Sequence, residues 1–247
     1  VLSTVGEYLL IENNPLLTSL AGLAQLDTIG IQDGGTQGLS ISNNDSLADL
    51  TGLEDLDSIA GDLLISDCDD TSFTSLAGLS ALTSVGGVAI KYNDVLSSLD
   101  GIESVSGVLT GDLVLESNPV LTDISALSGI GDVGGDFQVY NCDNLADIDP
   151  LSGVTSIGGD LKIQQNSLLA NLGIAGSAGL GNLAYLGGGL TLSYNDNLSD
   201  VSALSGISIV GEAQDAEHKL ADLYLHENAK LGSLVGIDSI TEVRGDV

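Results

Sequence analysis

Aromatic side chains make up 3% of this 247-residue chain, and Lys and Arg together number five. Few aromatics leave Leu, Ile and Val to build any core, and a hydrophobic content of 43% supplies enough of them. Five bases against 35 acids give a formal net charge of −30. A chain so charged cannot neutralise phosphates, so nucleic acid and anionic membrane surfaces are excluded as partners. No apolar run reaches the roughly 18 residues that cross a bilayer, so direct membrane insertion is not expected. No signal peptide is visible. The chain lacks a nucleophile elbow, a P-loop and an H-E-x-x-H pair. Carbohydrate-cleaving β-helices set separated carboxylates beside Arg or Lys. Here the sole Arg is Arg244, so catalysis is not expected.

What is present is repetition. The segment from Gly134 to Cys142 reads GGDFQVYNC, and the segment from Gly158 to Asn166 reads GGDLKIQQN. The shared pattern is L-x-[IL]-x-x-[NC]-x-x-L-x-x-[LIV], a self-similarity that marks a repeat architecture. It starts at Leu9, Leu39, Leu63, Val88, Leu113, Phe137, Leu161, Leu190 and Leu223. A second half, close to L-x-G-L-x-x-L-x-x-I-G-G-D, fills the space between copies.

L-x-I is a short strand with alternating inward side chains. The apolar residues at spacing three point inward from turns, and Gly-Gly returns the chain to the next strand. One coil cannot bury its own apolar face, whereas stacked coils bury a continuous one. The expected fold is a mainly β repeat solenoid, parallel β-helix-like, of about nine coils and roughly 40 Å at ~4.8 Å per step. Residues 1–247 read as one continuous solenoid. The chain starts and stops inside a repeat, so a slice of a longer repeat protein is expected, or a subunit whose ends are covered by neighbours.

A polar column runs through the copies: Asn14, Asn44, Cys68, Asn93, Asn118, Cys142, Asn166, Asn195 and Asn228. An inward polar side chain at a turn satisfies main-chain groups away from water, so these residues are expected to form a ladder. Cysteine is small and tolerates burial, which suits it to the same place. Cys68 and Cys142 stand three coils apart, about 14 Å at the strand spacing. That exceeds the roughly 7 Å reach of a disulfide, so none is expected.

These motifs resemble the receptor L-domain family, related to leucine-rich repeats. The cadence is carried by GDLVLESNPVLT (residues 111–122) and by residues 8–29, and the resemblance extends over essentially the whole chain. Asn or Cys is accepted at the ladder position of leucine-rich repeats. In this chain Leu follows that position by three residues, which favours the L-domain variant. The resemblance implies a right-handed stack with a parallel sheet along one face. It implies non-catalytic adhesion, recognition or scaffolding at an extracellular cell surface. The cysteine-rich modules of animal receptors are absent, which points to a microbial or algal surface type. The implied partner is a protein or glycan at that surface, or copies of the chain joined end to end into a filament or layer. Such head-to-tail contacts do not close.

Within this frame the outward strand positions form the candidate ligand or partner face. It includes Lys91, Tyr92, Tyr140, Lys162, Tyr194, Tyr224 and His226. Tyr supplies rigid contact area at low entropic cost. A second column, Asp62, Asp112, Asp136, Asp160, Asp222 and Asp246, precedes the strands. Asp112, Asp136 and Asp160 fall in consecutive coils, and stacked hard oxygen ligands suit Ca²⁺. The alternative is solvated, turn-forming Asp.

Two N-x-[ST] sequons occur, at Asn44 and Asn197; Asn44 is expected to be buried, so Asn197 is the glycosylation candidate. Insertions fall near residues 30–38, 68–73, 173–179 and 211–222. The last holds Asp215, Glu217 and His218 and is expected to form a short helix. Arg244-Gly245-Asp246 reads as the repeat's own G-G-D with one change.

Overall fold

The computed structural model describes residues 2–30, 38–211 and 222–244. Asp215, Glu217, His218 and the expected helix lie outside the described residues, as do Gly245 and Asp246.

The alternation of L-x-I produces parallel strands whose L-x-I residues pair in register, although the longer pair Ser58–Ser66 and Ser84–Lys91 shifts register between Ile59 and Asp62, ahead of that motif. Leu9–Glu12, Leu39–Ser42, Ser58–Ser66 and Ser84–Lys91 pair side by side. Leu113–Glu116, Phe137–Tyr140, Leu161–Gln164, Leu190–Ser193 and Leu223–His226 continue the same sheet. Leu9, Leu39, Leu63, Val88, Leu113, Phe137, Leu161, Leu190 and Leu223 stand in one row across it. A second, six-stranded parallel sheet runs from Gly107–Leu109 to Glu242–Val243 and carries the apolar residue ahead of Gly-Gly. The chain is therefore β-rich and solenoid-like, with mainly parallel sheets and short 3₁₀ turns.

Those turns follow from apolar spacing three, because side chains at i and i+3 eclipse in a 3₁₀ turn. Leu23 N–H donates to Leu20 O at 2.8 Å, and Leu26 N–H donates to Leu23 O at 2.7 Å. The same linkage joins Leu50, Leu53 and Leu56. Each bond closes a corner while all three side chains stay on the core side. Leu26, Leu50, Leu53 and Leu56 are fully buried. Phe73 and Phe137, the two Phe of the chain, are buried as well. In the first and last described repeats the matching residues, among them Leu9, Ile11, Leu223 and Leu225, are half-buried.

Two insertions are described. Residues 173–179 form an antiparallel pair between Gly173–Ile174 and Ala178–Gly179. Residues 68–73 bring Phe73 into the core. Among the described residues no helix is long and apolar enough to cross a membrane.

Candidate functional site

The outer face of the main sheet carries two rows, the first reading Leu10, Ser40, Leu64, Ala89, Val114, Gln138, Lys162, Thr191 and Tyr224. In register, the second row reads Glu12, Ser42, Ser66, Lys91, Glu116, Tyr140, Gln164, Ser193 and His226. Immediately after it comes a third row: Asn13, Asn43, Asp67, Tyr92, Ser117, Asn141, Gln165, Tyr194 and Glu227. Every residue of that third row has a left-handed backbone, with φ between 50° and 60°. Asn and Asp tolerate this conformation best, and they hold four of the nine places. Tyr92 and Tyr194 are the bulky exceptions. The left-handed row was not read from the sequence. Its one signal was the Asn or Asp that often precedes the Asn/Cys position.

Both exceptional tyrosines are exposed, Tyr92 by 45% and Tyr194 by 44%. Each leans over the second-row residue of the following repeat. The Tyr92 hydroxyl donates to Glu116 Oε1 at 2.6 Å. Lys91 Nζ pairs with Glu116 Oε2 at 3.3 Å. The hydrogen bond to Glu116 and that residue's charge raise the Tyr92 phenol above its ordinary pKa. The Tyr194 ring meets His226 edge-on with centroids 5.1 Å apart. Tyr224 lies 5.5 Å from the same imidazole, and His226 Nε2 is 3.3 Å from Glu227 Oε1. The face residues thus gather into two groups, Lys91–Tyr92–Glu116 and Tyr194–Tyr224–His226. Tyr140 stands in a repeat between them, and Lys162 joins the Asp column instead.

Outward orientation does not always mean exposure. Ser40 is only 8% exposed, because its hydroxyl donates to Glu12 Oε1 at 2.7 Å and the Glu covers it. Val114 is 7% exposed between its neighbours in the sheet. Two shallow grooves are described. One, of about 280 Å³, is lined by Tyr8, Leu10, Asp62, Leu64, Ala89 and Lys91 on the main sheet. The other, of about 430 Å³, lies by Tyr185, Ile209 and Arg244 on the second sheet.

The Asp column serves the backbone. Asp112 Oδ1 accepts the Asp136 N–H and Asp136 Oδ1 accepts the Asp160 N–H, both at 2.8 Å. Asp160 Oδ1 accepts the Gly189 N–H at 2.7 Å. The Lys162 ammonium bridges Asp160 at 2.7 Å and Asp136 at 3.3 Å. Partial burial pulls the Lys162 pKa down, but its bonds to Asp160 and Asp136 outweigh that and leave it raised. Ca²⁺ requires six to eight oxygen ligands. With one oxygen of each Asp held by an amide and an ammonium between two of them, Asp112, Asp136 and Asp160 do not fit that ion. Among the described residues no group of three or more His, Cys, Asp or Glu is arranged to hold a metal. At Gly87 the column lacks a carboxylate. There burial, and then the charge of Asp112, raise the Asp62 carboxyl.

The same bonds explain G-G-D. A Cβ on Gly159 would sit 2.2 Å from Asp136 Oδ1, and one on Gly158 would sit 2.2 Å from Gly134 O. The first Gly clears the backbone of the preceding repeat, and the second clears its carboxylate.

In the Asn/Cys column each Asn holds the repeat before it. Asn118 Oδ1 accepts the Asn93 N–H at 3.1 Å, and Asn118 Nδ2 donates to Ile90 O at 2.8 Å. Asn166 does the same with the Cys142 N–H at 3.0 Å and Val139 O at 3.0 Å. Asn195 takes the Asn166 N–H and Asn228 the Asn195 N–H, both at 3.1 Å. Asn44, Asn93, Asn118, Asn166 and Asn195 are buried, whereas Asn14 is exposed and Asn228 half-buried at the two ends of the described stack. At Cys68 and Cys142 sulfur replaces the amide oxygen. Both thiols are buried and free. Burial pushes Cys68 up to about 12 and Cys142 up to about 11. Asn197 donates through Nδ2 to Ser167 O at 2.6 Å and accepts from Lys230 Nζ. Its amide is therefore engaged on both sides, a poor setting for an attached glycan.

No family model matches the chain, and no curated protein matches it.

Proposed function

We propose that this chain is a non-catalytic solenoid module for adhesion, recognition or scaffolding at an extracellular cell surface. In this reading it is a right-handed stack of about nine coils with an Asn/Cys ladder, of the receptor L-domain-like, leucine-rich-repeat-related type. The observation that carries the reading is the pair of exposed tyrosines, Tyr92 and Tyr194, held with left-handed backbones on one sheet face. A bulky residue in that conformation is costly, and such outliers concentrate where a side chain has work to do. Asn13, Asn43, Asp67 and Asn141 meet the same backbone requirement more easily, so the tyrosines answer to a need for their rings. The net charge of −30 favours neutral or cationic partners.

The test is binding of fluorescently labelled protein to a panel of fixed microbial and algal cells, paired with electron microscopy of the protein alone at micromolar concentration. Surface binding that falls in Tyr92→Ala/Tyr194→Ala, with separate short rods in the micrographs, is the expected result. Absence of binding across the panel, with filaments or a lattice in the micrographs, would replace recognition by self-assembly of a structural subunit.

A further inference from the structure

We propose that the tyrosine-bearing face of the main sheet binds an extended, neutral, β-linked polysaccharide lying along the stack, with Tyr92, Tyr140 and Tyr194 as successive ring contacts. The inference rests on the recognition reading above and names the class of its ligand.

Three observations lead to it. The first is spacing. Tyr92, Tyr140 and Tyr194 belong to every second repeat, Tyr140 in the second row and the other two one residue further on in the third. At ~4.8 Å per strand, each interval is about 10 Å. An extended β-linked hexose chain presents the same face at every second sugar, and that disaccharide period is comparable to the interval. The parallel strands repeat this interval step by step along the face.

The second is the chemistry between the rings. Glu116 and Gln164 fill the intervening places of the second row, with Lys91 and Ser193 beside the outer rings, and Ser117, Asn141 and Gln165 fill those of the third. These are ammonium, carboxylate, amide and hydroxyl groups, matched to a ligand with a hydroxyl on nearly every carbon. A protein partner would call for an apolar patch at the centre of the contact, and polar residues stand there instead. A peptide added as a further strand would need a sheet edge, whereas the rings occupy the face.

The third is charge. With −30 on the chain, and Glu116 and Glu227 beside the rings, a polyanionic glycan is repelled. A neutral glycan is not. Tyrosine meets both of its requirements, an apolar face for the sugar's C–H groups and a hydroxyl for its rim.

The experiment is native electrophoresis of the full chain through gels containing a soluble neutral β-linked glucan, alginate as a polyanion, or no glycan. Retardation is expected in the glucan gel alone. Affinity should fall by at least about ten-fold in Tyr92→Ala/Tyr194→Ala, the scale of an aromatic contact that dominates binding. Tyr185→Ala, on the second sheet, should match the parent. Circular dichroism establishes that each variant is folded, and Tyr140→Ala alone tests the central contact if the double variant is not. Lack of retardation by the glucan overturns the inference, as does retardation that the tyrosine variants leave unchanged. If labelled protein still binds cells through Tyr92 and Tyr194 while the glucan neither retards nor competes, the ligand class falls and recognition stands. If cell binding is also absent, both fall.

Discussion

Asp136 and Asp160 hold the same place in successive repeats, and the carboxylate of the first accepts the backbone N–H of the second at 2.8 Å. Residues that look in sequence like a stack of like charges are thereby a set of main-chain acceptors, one repeat gripping the next.

Removing that grip should be measurable. Asp136→Ala leaves the Asp160 N–H without its acceptor and takes away one partner of Lys162. A loss of about 1–2 kcal/mol is expected, the scale of deleting a side chain that caps backbone amides. The midpoint of urea denaturation reports it, and an unchanged midpoint would mean that water replaces the carboxylate at no cost.

Gly159→Ala should be worse tolerated than its small size suggests. The new Cβ would lie 2.2 Å from Asp136 Oδ1 and 2.8 Å from the Asp136 nitrogen. Overpacking of this kind costs about 1–3 kcal/mol. Adding Asp136→Gly removes the shortest of the three close contacts, leaving those to the Asp136 nitrogen and the Gly135 carbonyl carbon, so the double variant should lose less than the sum of the single ones. Strict additivity in that cycle would sever the link between the second Gly and the Asp.

The cysteines should be inert and replaceable. Thiols pushed to about 12 and about 11 remain protonated at pH 8, so native protein should react with thiol reagents only as fast as it opens. Each thiol is held above its ordinary value of 9.0, so its contribution to stability is complete below pH 9. For Cys142 that contribution is lost as pH rises from 9.0 through about 11. Cys142→Asn restores an amide facing the Asn118 N–H and should add about 1 kcal/mol of stability, one net hydrogen bond, read as a higher denaturation midpoint. It should also flatten the alkaline decline. A lower midpoint would show that the pocket has shrunk around sulfur.

Acid should act through a different residue. Asp132 Oδ1 accepts the Thr155 hydroxyl at 2.7 Å and the Ser156 N–H at 2.9 Å, and the Thr155 bond leads in holding its carboxyl below the usual value of 3.8. A depressed carboxyl contributes stability above its unfolded pKa and loses it as pH falls through the folded one. Below about pH 4, stability should fall less steeply in Asp132→Asn than in the parent. Parallel acid curves would assign the loss to other carboxylates.

The strands and corners were legible because their periods are simple. Alternation fixes which residues of L-x-I enter the core, and a spacing of three fixes the 3₁₀ corners around Leu50, Leu53 and Leu56. Places defined by the backbone were harder to read. The left-handed row holds Asn, Asp, Ser, Gln, Glu and Tyr, so no residue type marks it, although its geometry is constant. The Asp column was visible as a column, but spacing shows where side chains stack and not which amides lie between them. For the same reason Asn197 read as an open sequon, while its amide is tied to Ser167 and Lys230. The tyrosine face was legible in composition; its division into two groups depended on Glu116 and His226 of the following repeats.

The direction of the bonds between repeats has a consequence for how such a chain changes over generations. Each Asn reaches back to the preceding repeat, and each Asp of G-G-D reaches forward to an amide in the next. A duplicated segment one repeat long that holds both the Asn and the Asp carries a complete set, so its new junctions reproduce the old ones. Gain or loss of a whole repeat in the interior therefore keeps the joints, while loss of one codon inside a strand turns the rest of that strand over and breaks the joints on both sides of it. The chain is free to alter its length in quanta, and with it the number of ring contacts along its face, without inventing a new joint.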